Sequence, residues 1–132
     1  MQSDGTRAGS VSRLRLEIQV SNSGSAICEA VRHLAPITSG TILKSLPLRD
    51  RVHRFGESFA YIETGLVIGA EKQRSQFKRG EVAFMISNGS ICIFLKDAVV
   101  QPMNPLGTVL SGLELVDASA PGDVITIRKP SV

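Results

Sequence analysis

The 132-residue chain is predicted to be mainly β: one closed barrel of about seven or eight short strands, with one clear helix and short helical turns. Three observations carry that reading. Residues 14–20 alternate with period two. Residues 82–86 and 91–95 are apolar runs separated by Ser87-Asn88-Gly89-Ser90, a hairpin signal. Glycine turns recur between the other short apolar pieces. Apolar residues make up 42% of the chain and charged residues 20%, a globular balance. No apolar run approaches the roughly 20 residues that cross a bilayer, so no membrane partner is expected and the default compartment is cytoplasmic. The formal charge of +3 mixes both signs and does not predict a nucleic-acid partner.

Residues 1–12, rich in Ser, Gly and Thr, are expected to form a flexible tail, with the domain spanning 13–129. Leu14, Leu16, Ile18 and Val20 share one face of a first strand. After a turn at residues 21–25, Ile27, Ala30, Val31 and Leu34 recur at helical spacing, and Pro36 is expected to end that helix. Residues 37–54 read as a loop with one short strand near 41–43. Residues 58–62 read as a strand, and 66–68 as its continuation or another strand. Residues 71–79 read as a charged, solvated loop. The hairpin follows, its unbroken hydrophobicity requiring burial on both faces or a closed barrel wall. Residues 109–116 read as a strand running into a helical turn, and 124–128 as a last alternating strand.

The segments GEVAF (80–84), GSICIF (89–94), Gly107-Thr108-Val109 with Gly112-Leu113-Glu114, and GDVITI (122–127) resemble those of the cyclophilin-like family of small bacterial and archaeal proteins. Leu46-Pro47 and RFGESFAY (54–61) fit the same pattern, and the resemblance spans roughly residues 13–128. The chain departs from it at Phe55-Gly56, where that family usually has Trp-Gly, and at Ser87-Asn88, where it often has a proline-containing turn. The resemblance implies a closed barrel like that of the proline isomerases, in a family largely without assigned activity. Val52-His53-Arg54 resembles the isomerase segment Phe-His-Arg, and Phe59 stands where isomerases keep a pocket phenylalanine. Against activity, Ile91 replaces the substrate-binding glutamine, Ile93 the second pocket phenylalanine and Thr108 a pocket histidine, and the chain has no tryptophan.

The leading expectation is a non-enzymatic binding module whose pocket of Arg54, Phe59, Ile91 and Ile93 takes a peptide or small organic ligand. Arg54 would anchor a carbonyl or carboxylate. The alternatives are a weak peptidyl-prolyl isomerase with Arg54 and Phe59 as catalytic residues, and an assembly module pairing residues 66–68 with a second copy as a homodimer. Phe55 is expected to plug one barrel end. No cofactor and no metal are expected, since His33 and His53 lie far apart and read as lacking Cys or carboxylate neighbours at ligand spacing. Glu57 and Glu63 could share a strand face. Cys28 and Cys92 read as small hydrophobes rather than nucleophiles.

Overall fold

The computed structural model describes residues 12–130. The expected tail, Ser12 aside, lies outside the described residues. Among the described residues the chain forms ten strands: β1 (Arg13–Val20), β2 (Gly24–Val31), β3 (Leu48–Arg51), β4 (His53–Phe55), β5 (Phe59–Glu63), β6 (Arg74–Phe77), β7 (Glu81–Met85), β8 (Ser90–Phe94), β9 (Ala98–Ser111) and β10 (Val124–Arg128). Two α-helices, α1 (Pro36–Ser45) and α2 (Leu113–Asp117), and a 3-10 turn at Arg32–Leu34 complete it. The fold is mainly β with one main helix, as expected. No helix among the described residues is long and apolar enough to cross a membrane.

All pairings between these ten strands are antiparallel, in the order β3-β10-β1-β2-β9-β7-β8-β5-β4, with β6 added on β9. The closed barrel is corrected here, because this path is open. One extended segment pairs with β10 through β3 and with β5 through β4, and the ladder breaks between them at Val52, whose N–H donates to Asp123 O at 2.7 Å. At this seam a side chain stands where a ladder bond would: Asp50 Oδ2 accepts the Glu63 N–H at 2.9 Å.

The helix is also elsewhere than expected. Residues 24–31 form β2, paired in full register with β1 from Val20↔Gly24 to Arg13↔Val31. Its inward residues Ala26, Cys28 and Ala30 are small and buried, so the period-two signal that mattered was a weak one. Pro36 starts a helix instead of ending one, because a first-turn proline lacks only an N–H that would have no intrahelical partner. Helix α1 carries Ile37, Thr38, Gly40, Thr41 and Ile42, all poor helix formers, and it is held from outside. Ile42 is 3% exposed in the main core, and a carboxylate from a distant loop caps its first turn.

Strand β8 is buried along its whole length because both its faces are covered. Ile91 and Ile93 join Val82, Phe84, Ile18 and Ile125 on the inner face, while Cys92 and Phe94 join Ala83, Phe59 and Met103 on the outer face. The outer layer comes from β9, whose first half leaves β7 to pair with β6, making a strand of residues expected to be a solvated loop and burying Phe77 to 2%. Prolines hid β9 in the sequence. Both sit at irregularities of the ladder, Pro105 where the β7 register shifts and Pro102 where the β6 register does, the places where a missing N–H is tolerated. Gly89 closes the β7-β8 hairpin at φ +66°, and a Cβ there would come within 2.5 Å of Leu66 O.

Candidate functional site

Strands β4 and β5 pair as His53↔Tyr61, Arg54↔Ala60 and Phe55↔Phe59. Because strand side chains alternate, His53, Phe55, Phe59 and Tyr61 share the outer face, whereas Arg54 shares the inner one with Ala60. The outer four stack across the ladder: His53 on Tyr61 with centroids 5.1 Å apart and Phe55 on Phe59 at 5.1 Å, with interplanar angles of 22° and 11°. Phe94 and Phe77 extend the row, Phe59 to Phe94 at 5.2 Å and Phe94 to Phe77 at 4.8 Å. Each aromatic pair adds about 0.5–1.5 kcal/mol beyond its burial, so the row is a rigid platform.

A groove of about 580 Å³ opens between this platform and the first half of β9. Its floor is Phe59 and Met103, 3% and 0% exposed, and its rims are Phe55 and Val99, 61% and 76% exposed. Tyr61 and Met85 line its walls. Its polar end carries Ser87 and Gln101, with Gln101 Nε2 donating to Ser87 Oγ at 3.4 Å. Phe55 is thus a rim and not the plug of a barrel end.

The four residues expected to form one pocket are not brought together. Phe59 lies in the groove. Ile91 and Ile93, 2% and 1% exposed, point into the core on the other side of the sheet, where Ile91 borders an apolar interior cavity of only about 20 Å³. Arg54 reaches α2 and donates through Nη1 to Asp117 O at 2.9 Å and Ser119 O at 3.0 Å, satisfying carbonyls at that helix end. Thr108, expected in place of a pocket histidine, is on β9 and donates its hydroxyl to Gly80 O at 3.3 Å, outside the groove lining. Residues 66–68 form no strand among the described residues, although Val67 is 98% exposed.

A second, charged groove of about 770 Å³ lies along β6 and the start of β7. Its cations are largely matched: Arg74 meets Glu81 at 2.8 Å and lies 4.8 Å over the Phe77 ring, while Arg79 bonds Leu95 O and meets Asp117 at 3.2 Å. Opposite charges so paired leave a salt-bridged surface and no concentrated positive field. Cys28 and Cys92 are buried, and burial pushes the Cys28 thiol up to about 12 and raises that of Cys92 as well, so neither is activated.

Among the groove residues missed in the sequence are Tyr61, Met85, Val99, Gln101 and Met103. The local signal was present for Tyr61, which alternates with Phe59. For the β9 residues there was none, because Pro102 and Pro105 masked the strand.

Comparisons with known proteins agree with this architecture. The solution structure of the hypothetical protein AF2241 from Archaeoglobus fulgidus matches with a TM-score of 0.72 at 21% identity, covering 90% of this chain and 96% of that one. The structure of McbB in complex with tryptophan matches with a TM-score of 0.70 at 13% identity, covering 89% of this chain, which spans 46% of the McbB chain. Among curated proteins none matches the sequence. The family model described as Cyclophilin-like matches residues 13–128, nearly the whole of the chain, and the protein belongs to the cyclophilin-like family.

Proposed function

We propose that this domain is a binding module that takes an aromatic or aliphatic group, from a peptide or a small organic molecule, into the outer-face groove without turning it over. The observation that carries this reading is the exposed pair Phe55 and Val99 flanking a floor of Phe59 and Met103, with Gln101 and Ser87 at one end. Apolar walls with a few polar groups are the usual make-up of a small-ligand site. That McbB was solved in complex with tryptophan supports an aromatic side chain as the occupant. Turnover of an X-Pro bond is not favoured, since the Arg54 guanidinium that would have to reach the substrate amide is engaged with Asp117 O and Ser119 O on the opposite face.

The test is a titration of the isotope-labelled chain with N-acetyl-tryptophanamide and with short peptides containing Trp, Phe or Pro, in chelator. Saturable shifts centred on Phe55, Tyr61, Val99 and Gln101, weakened by Phe55→Ala, are expected, with no acceleration of cis-trans exchange in the proline peptide. Shifts confined to other surfaces, or none at millimolar ligand, would overturn the groove. Accelerated exchange that disappears with Arg54→Ala would make the protein an isomerase.

A further inference from the structure

The seam of the sheet brings together three groups carried by three successive strands, β3, β4 and β5. Asp50 is the last residue but one of β3, three residues before His53, and Glu63 lies at the far end of β5. Their donor atoms lie within 4.8 Å of one another, the one such group of three among the described residues. His53 Nε2 is 3.1 Å from Asp50 Oδ2. That contact is a hydrogen bond; two ligands each about 2.1 Å from one ion lie about 3.0 Å apart at right angles and about 3.4 Å apart in a tetrahedron, so an ion that replaced the shared proton would need only a small adjustment of this pair. Both groups are held in place from outside. The His53 ring is stacked on Tyr61, and Asp50 Oδ2 receives the Glu63 N–H at 2.9 Å. Glu63 is exposed and has only to swing its carboxylate inward.

We infer that Asp50, His53 and Glu63 form a binding site for a divalent first-row transition metal ion, closing the sheet where its ladder is broken. One imidazole and two carboxylates are a mixed nitrogen and oxygen set suited to Zn²⁺, Co²⁺ or Mn²⁺, and too nitrogen-bearing for Ca²⁺ or Mg²⁺. The expectation of no metal site overlooked that Asp50 stands three residues before His53, and that Glu63 is carried to the same place by the β4-β5 turn. An ion here bridges β3 and β5, and it immobilises the ring on which Tyr61 of the groove is stacked.

The test uses the full chain and the metals alone. Zn²⁺ added to metal-free protein is expected to bind one to one by calorimetry and to raise the melting temperature. Co²⁺ is expected to give visible absorption bands that Zn²⁺ displaces. Glu63→Gln, an exposed change that leaves the fold intact, should weaken Zn²⁺ at least about tenfold, the lower end of the loss seen when even an outer partner of a metal site is removed. His53→Ala should abolish the Co²⁺ bands, and His33→Ala should change neither readout. Absence of binding at millimolar metal, or affinity unchanged in both Glu63→Gln and His53→Ala, would overturn the inference. Because groove binding is measured in chelator, failure here leaves that reading untouched.

Discussion

Glu71→Ala tests whether a distant carboxylate is what lets residues 36–45 be a helix at all. No side chain of the local N-cap region bonds the first turn of α1. Instead Glu71 accepts the Ile37 N–H at 2.9 Å, the Thr38 N–H at 2.8 Å and the Thr38 hydroxyl at 2.7 Å. Its own N–H donates to Asn104 Oδ1 at 2.9 Å, and the fully buried Asn104 amide donates to Thr38 Oγ1 at 3.0 Å and Gly69 O at 2.9 Å. Loss of a cap costs about 0.5–2 kcal/mol, and hydrogen bonds to charged groups about 1.5–3 kcal/mol each when not replaced by water. Three bonds on one partly exposed carboxylate are not additive, so about 2 kcal/mol is expected, or roughly 7 °C in melting temperature for a domain of this size. Glu71→Gln keeps one acceptor oxygen and should lose about half as much. Burial pushes the Glu71 carboxyl up, but the bonds from Ile37 and Thr38 and the charge of Lys72 outweigh it and hold it below its ordinary value. A group depressed in the folded state stabilises fully above its unfolded pKa and stops doing so as pH falls through its folded one. Denaturant melts from neutral to acid pH should therefore show the gap between parent and Glu71→Gln closing with acid. A gap that stays constant with pH, or an Ala variant within about 0.5 kcal/mol of the parent, would refute the cap.

Arg54→Ala should destabilise the fold by about 1–2 kcal/mol through the freed carbonyls of Asp117 and Ser119, while leaving N-acetyl-tryptophanamide affinity unchanged; lost affinity would return Arg54 to the ligand site. Phe55→Ala should do the reverse, costing under about 1 kcal/mol of stability because the ring is 61% exposed, while weakening ligand binding about tenfold or more in the same titration. Gly107→Ala should cost about 3 kcal/mol or more, or prevent soluble expression, because a Cβ there would stand 1.8 Å from Glu29 O and force β9 off β2; a melt near that of the parent would show that the two strands separate easily. Neither Cys28 nor Cys92 should react with a thiol reagent at neutral pH until denaturant is added, and fast labelling of the native protein would show that the outer layer opens.

Much of the strand pattern was legible because large apolar residues announce it. Leu16, Ile18 and Val20 in β1, the β7-β8 hairpin around Asn88-Gly89, and Ile125 and Ile127 in β10 all lie where their spacing puts them. Errors came where small residues or prolines carry the structure. Ala26, Cys28 and Ala30 mark the inward face of β2, but their apolar signal is weaker than the helical spacing that Ile27, Val31 and Leu34 share by coincidence. Helix α1 owes its existence to Glu71 and to the core around Ile42, partners that no local window contains.

Within β4 the difference between reading and structure is an offset of one residue. In the VHRF segment the sequence drew attention to Arg54 because a guanidinium has obvious chemistry. Pairing of Phe55 with Phe59 fixes the face on which each side chain emerges, and it puts Arg54 behind the sheet. A strand has period two, so an offset of one exchanges the whole set of side chains between core and surface. The same offset that takes Arg54 from the groove delivers His53 to the outer face against Tyr61, and Asp50 and Glu63 meet it at the seam. Both proposed sites therefore rest on the residues flanking Arg54: Phe55 at the rim of the apolar groove, and His53 where the sheet fails to close.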